Sequence, residues 1–128
     1  MLRRHRTSAR SAAAVVLALR IVYGLGLAAA PVRLTKRWLG PSSSTGPTQV
    51  ALRGLAAREI LLHVGGLSAA LTGAPVRPWL AASVAGDLSD IAATAGASGL
   101  PAGAAKATTA VAGGSALLSA AVAAAVDS

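Results

Sequence analysis

Residues 107–126 read ATTAVAGGSALLSAAVAAAV, twenty consecutive positions without a charged side chain. As a helix, a run of this length crosses roughly 30 Å, the thickness of bilayer hydrocarbon. It lacks the two-residue alternation of a barrel strand, and its alanine content favours helix. Working outward, segments of similar length recur. Residues 79–97 (WLAASVAGDLSDIAATAGA) make a third segment that carries Asp87 and Asp90. Residues 49–72 make a second, with Arg53, Arg58 and Glu59 in its first half and His63 in an otherwise apolar second half. Residues 11–30 make the first, interrupted by Arg20 and closed by Pro31.

The connections are short and rich in turn residues. A polar loop, PSSSTGPT, occupies 41–48; two prolines break the chain at 73–78; Pro101 lies in the turn at 96–103. Backbone groups in lipid must be paired internally, which leaves helices as the natural spanning element. Short loops make neighbours antiparallel, so the expected fold is all-α, a four-helix transmembrane up-down bundle. A basic tail (1–10) precedes a single membrane domain (11–128). Between the first two segments, residues 32–40 read as an interfacial stretch. Trp38 and Trp79, with Arg33, Lys36 and Arg37, have the chemistry of headgroup-level anchors.

Composition supports lipid as the solvent. Hydrophobic residues make up 54% and charged residues 12%, about half the charge of an average soluble domain. The apolar share is mostly small, with no Phe and a single Met. Small residues suit membrane helices, whose association depends on close backbone approach. The stripe Ala112, Ala116, Ala120, Ala124 has the four-residue spacing for it. The net charge of +8 sits at the N-terminus and beside the apolar segments, which points to anionic headgroups rather than nucleic acid. No aromatic interleaving or nucleic-acid motif accompanies it. The head carries Arg3, Arg4, Arg6 and Arg10, and this bias leans toward a cytoplasmic N-terminus in a multi-pass protein. With no Cys, thiolate chemistry is excluded. No phosphate-binding loop, nucleophile elbow or zinc-protease motif occurs, so no catalytic residue and no cofactor is expected. A second copy of the chain or another membrane protein is a further candidate partner.

The informative residues are the charges inside the apolar segments. A charge at mid-bilayer costs about 2.5–3.5 kcal/mol on insertion scales and is rarely idle. Arg20, Arg53 and Arg58 equal in number Glu59, Asp87 and Asp90, which suggests mutual pairing. Ser83, Asp87, Asp90 and Thr94 follow i, i+4, i+7, i+11 and share one helix face; Glu59 and His63 are i, i+4 neighbours. One reading is a buried network of Arg20, Arg58, Glu59, Asp87 and Asp90 that fixes helix register. A second adds a polar pocket or ion pathway using His63, Ser83 and Thr94. A third, a metal held by Glu59, His63, Asp87 and Asp90, is the weakest, because the arginines compete for the carboxylates.

Arg20-x-x-x-Gly24 with Pro31, Arg53-Gly54 with Arg58-Glu59, Gly66, Trp79 and Asp87-x-x-Asp90 together resemble small four-helix integral membrane proteins of unknown function, common in high-GC bacteria such as actinobacteria. The layout is more distantly similar to DoxX-like membrane proteins. The resemblance implies a membrane location and a charged cluster at positions 20, 58, 59, 87 and 90, and no activity. The alternative is a targeted soluble protein: residues 1–30 have the basic head, apolar stretch and small-residue run of a removable signal, leaving an Ala-rich helical interaction module.

Overall fold

Proline at position 31 sets the first break in the chain. It lacks an amide hydrogen and biases the preceding residue away from helix, so the first helix stops just before it. The computed structural model describes residues 2–126, leaving aside the side chain of Leu2; Met1 of the basic head and residues 127–128 of the expected domain lie outside the described residues. Within them α1 spans Leu2–Ala29, α2 Pro31–Leu39, α3 Gly46–Thr72, α4 Arg77–Gly96 and α5 Ala104–Val126. No strand occurs among the described residues.

Three stretches that the sequence reading places outside its four helical segments are largely helical. The basic head continues α1 without a break, so residues 3–10 are its first turns. The interfacial stretch forms the nine-residue helix α2, which buries Thr35 and half-buries Trp38 and Leu39 while exposing Arg33, Lys36 and Arg37. The polar stretch after it is a 3-10 turn, Gly40–Ser44, followed by the first turn of α3, where Pro47 loses no helical hydrogen bond. At the other end of α3, Gly73 takes the left-handed conformation (φ +81°) that ends a helix without a Cβ penalty.

Helix α1 packs along α3, and α4 along α5. Contacts of α1 with α5 and of α3 with α4 complete the array, which leaves α1 and α4 diagonally opposed. Arginines meet the unpaired carbonyls at two helix ends. Arg10 donates to the carbonyls of Ala69, Ala70 and Ala74 at 2.8, 3.2 and 2.9 Å, placing the start of α1 beside the end of α3. Arg77 Nε donates to Ala123 O at 2.9 Å, placing the start of α4 beside the end of α5.

The distribution of side chains is inverted relative to a water-soluble domain. Among the described residues fourteen large apolar side chains are exposed, Leu61 at 73% and Leu117 at 75% among them. Only seven aliphatics larger than alanine are buried: Leu17, Leu27, Leu52, Val76, Leu80, Val122 and Val126. The buried set also includes Thr35, Ser43, Glu59, His63, Ser83, Asp87, Thr94 and Ser119. Total accessible surface is 7573 Å2, against about 6100 Å2 for a compact soluble monomer of this mass. Among the described residues three helices are long and apolar enough to cross a membrane: Arg3–Ala29 within α1, α3 and α5. The charged helix α4 is not among them.

Close packing replaces bulk in the interior. A Cβ on Gly65 would lie 2.4 Å from the ring of Trp79, and one on Gly66 2.9 Å from Leu17. The indole that reads as an interface anchor therefore lies on the backbone of α3 at Gly65, and the Cβ of Trp79 on that of Gly66. On α5 the alanine stripe divides: Ala112 and Ala116 are buried, Ala120 and Ala124 exposed. A strict four-residue step drifts around a 3.6-residue helix, so the buried face passes instead to Ser119, Val122 and Val126. Gly65→Ala is expected to lower the thermal midpoint of the detergent-purified protein, and adding Trp79→Leu to restore part of it, as followed by circular dichroism.

Candidate functional site

Arg20 reaches across the diagonal of the array. It lies one turn after Leu17 on the inward face of α1, with its side chain 12% exposed. Its Nη1 donates to Asp87 Oδ2 at 2.9 Å and its Nη2 to Asp87 Oδ1 at 2.7 Å, the parallel fork that guanidinium and carboxylate planes favour. Its Nε donates to His63 Nε2 at 2.8 Å. Glu59 Oε2 lies 3.7 Å from Nη2. One arginine thus ties α1 to α3 and α4.

Arginine only donates, so the nitrogen it meets must accept. His63 Nε2 is therefore unprotonated, and its Nδ1 carries the proton and donates to the Glu59 carbonyl one turn back at 2.5 Å. The His63 ring is fully buried. Ser83 Oγ stands 2.8 Å from the same Nε2, whose lone pair is taken; the hydroxyl donates to Trp79 O at 3.1 Å. His63 in this state is neutral and fixed by three helices.

Arg58 serves two acids more loosely. Its Nη2 is 3.3 Å from Glu59 Oε1 and 3.5 Å from Asp90 Oδ2, and its side chain is 41% exposed. Arg53 does not join them. Five residues before Arg58, it points elsewhere around α3 and is exposed, so the equal count of charges read from sequence fails. Two arginines face three carboxylates, an excess of one negative charge. Asp90 is the most loosely held of the three, because Asp87 holds both tines of Arg20 and Glu59 lies near both arginines, and Arg37 of α2 lines the adjoining cleft as a third positive charge.

The polar face of α4 divides by depth. Ser83, Asp87 and Thr94 are buried, and Asp90 sits at the rim. Thr94 lies apart from His63 and Ser83; it accepts from Trp38 Nε1 at 3.0 Å and donates to Asp90 O at 2.8 Å, so α2 is pinned to α4. Among the described residues no group of three or more His, Asp or Glu side chains is arranged to hold a metal. The reason is visible at Arg20, which occupies His63 Nε2 and both oxygens of Asp87, the atoms a metal would need. Ser119, fully buried on α5, has no hydrogen-bond partner for its hydroxyl among the described residues.

Beside the cluster lies a cleft of about 540 Å3 between α1 and α5. Its walls include Leu19, Tyr23, Leu34, Trp38, Val111 and Leu118; Arg20, Glu59, Asp87 and Asp90 give it a charged side, and Arg37 joins them from α2. His63, Ser83 and Thr94, the residues that sequence spacing nominates for a pocket, do not line it. No single motif announces this cleft: its walls come from five helices.

No family model matches the chain, and neither the curated proteins nor the solved structures contain a match.

Two substitutions grade the cluster. Asp87→Ala leaves Arg20 buried without its carboxylate, and it is expected to cost about 3–5 kcal/mol in detergent unfolding, whereas Asp90→Ala costs far less. Ser119→Ala removes a buried hydroxyl that makes no bond, and its unfolding free energy is expected to equal or exceed that of the parent.

Proposed function

We propose that this chain is a small multi-pass membrane protein, a four-helix transmembrane up-down bundle of α1, α3, α4 and α5. Its Arg–carboxylate cluster holds the helices in register and forms the polar side of a lateral cleft. The observation that carries the reading is the inverted polarity: twice as many large apolar side chains face outward as inward, while acids, His63 and Arg20 are held inside. In water such a surface would be a large aggregation liability; in hydrocarbon it is the matched one. Helix α4 enters despite its two acids because Asp87 is neutralised by Arg20 and Asp90 is approached by Arg58.

Helix α2 lies at the membrane surface in this reading. Its exposed Arg33, Lys36 and Arg37 meet anionic headgroups, and Trp38 anchors its other face. The basic head favours a cytoplasmic N-terminus. The resemblance of positions 20, 58, 59, 87 and 90 to small actinobacterial four-helix membrane proteins points the same way. Removal of residues 1–30 as a targeting peptide would take Arg20 away and strand Asp87 and His63 in the interior, which counts against a soluble, processed form.

Absence of native cysteine gives a clean background for topology mapping. The full-length chain is expected to remain in the membrane pellet through alkaline carbonate extraction. Single cysteines replacing Ser8 and Ala74 should react with an impermeant maleimide from one side, and those replacing Thr45 and Ser98 from the other. Release into the supernatant, or all four positions labelling from one side, would refute the four-span reading.

A further inference from the structure

We propose that the outer face of α2 is a discrete site for the headgroup of one anionic phospholipid, held by Arg33, Lys36 and Arg37. This rests on the membrane reading above and names the partner of that surface. The three cations follow i, i+3, i+4, so on a helix they fall within about 100° of arc. The buried Thr35 lies on the opposite side. All three are exposed, and among the described residues none has an ion-pair or hydrogen-bond partner for its side chain.

The charge balance decides the sign of the ligand. No acid occurs in the sequence before Glu59. Around the cleft below α2, Arg20, Arg37 and Arg58 equal in number Glu59, Asp87 and Asp90, so the cleft itself favours neither sign. With Arg37 counted in that balance, Arg33 and Lys36 remain, and no further acid among the described residues is left to meet them. The excess is therefore positive and belongs to α2.

The fold holds these cations in place. Thr35 Oγ1 donates to Pro31 O at 2.7 Å and Trp38 Nε1 to Thr94 Oγ1 at 3.0 Å, while Trp38 and Leu39 pack against the cluster of Leu27, Leu52 and Ala56. Helices α1, α3 and α4 thus fix the inner face of α2, and a ligand need not order the helix that it binds. Arg33 and Arg37, one turn apart, offer planar forks that match phosphate oxygens, with Lys36 beside them as a compact charge. A lipid supplies this phosphate better than solution does. Leu34, 47% exposed, adjoins Arg33 and lines the cleft, so the ligand meets apolar surface directly beside its charge.

Native mass spectrometry of the full chain in detergent, titrated with phosphatidylglycerol or phosphatidylcholine, counts the lipids bound. One phosphatidylglycerol per chain is expected to bind about tenfold or more tightly than phosphatidylcholine. Arg33→Gln combined with Arg37→Gln should weaken that first binding step about thirtyfold, with the helical circular dichroism unchanged. Arg3→Gln combined with Arg4→Gln, which removes the same charge from the exposed head, should leave it as it is. Equal affinity for the two lipids, equal losses in the two double variants, or displacement of the lipid by millimolar inorganic phosphate overturns the proposal. Retention of the chain in carbonate pellets without a preference for the anionic lipid overturns this inference alone, whereas release by carbonate overturns the membrane reading and this one with it.

Discussion

A guanidinium cannot shed its proton and cannot accept a hydrogen bond, and burying one forces its neighbours to adapt. Arg20 imposes that constraint on this fold. It needs acceptors from several directions, and it finds them on two other helices: the carboxylate of Asp87 and the ring nitrogen of His63. Because α1 and α4 sit on a diagonal, the pair can form only if α3 and α5 are in place on either side. The register of three helices, the tautomer of His63 and the direction of the Ser83 hydroxyl all follow from this one side chain.

The small residues make that reach feasible. Gly24 lies where a Cβ would come within 2.9 Å of Ile60, and Gly66 takes the side chain of Leu17 against its backbone. Helices that approach this closely gain dispersion contacts without bulky side chains, the mode of association available when the solvent is itself apolar. Leucine and valine are thereby released to the outside. Their placement there and the charges within are two aspects of a single arrangement.

Much of this organisation was legible in the sequence. Proline at 31, the proline pair near 75–78 and the Gly/Pro turn near 101 mark breaks between long helices, because they act on the backbone locally. The common face of Ser83, Asp87, Asp90 and Thr94 follows from helical periodicity alone. What periodicity does not contain is which helices are neighbours. Arg20, Arg53 and Arg58 are equivalent on paper, and only the packing order separates the one that is forked to Asp87 from the one that is exposed. The same blindness hides the contact of Trp79 with Gly65 and sends Thr94 to Trp38 rather than to His63. The cleft is less legible still, since it arises where α1 and α5 leave a gap below α2. The helical state of residues 3–10 and 31–39 was obscured by their charge, which signals surface and says little about backbone.

A double-mutant cycle on Arg20 and Asp87 tests the central claim most directly. Unfolding free energies in detergent would be compared for the parent, Arg20→Leu, Asp87→Leu and the pair. Each single change leaves an unpaired buried charge, so the double mutant is expected to be more stable than either single mutant. Losses that simply add would show that the two side chains do not meet, and the arrangement described for α1, α3 and α4 would be wrong.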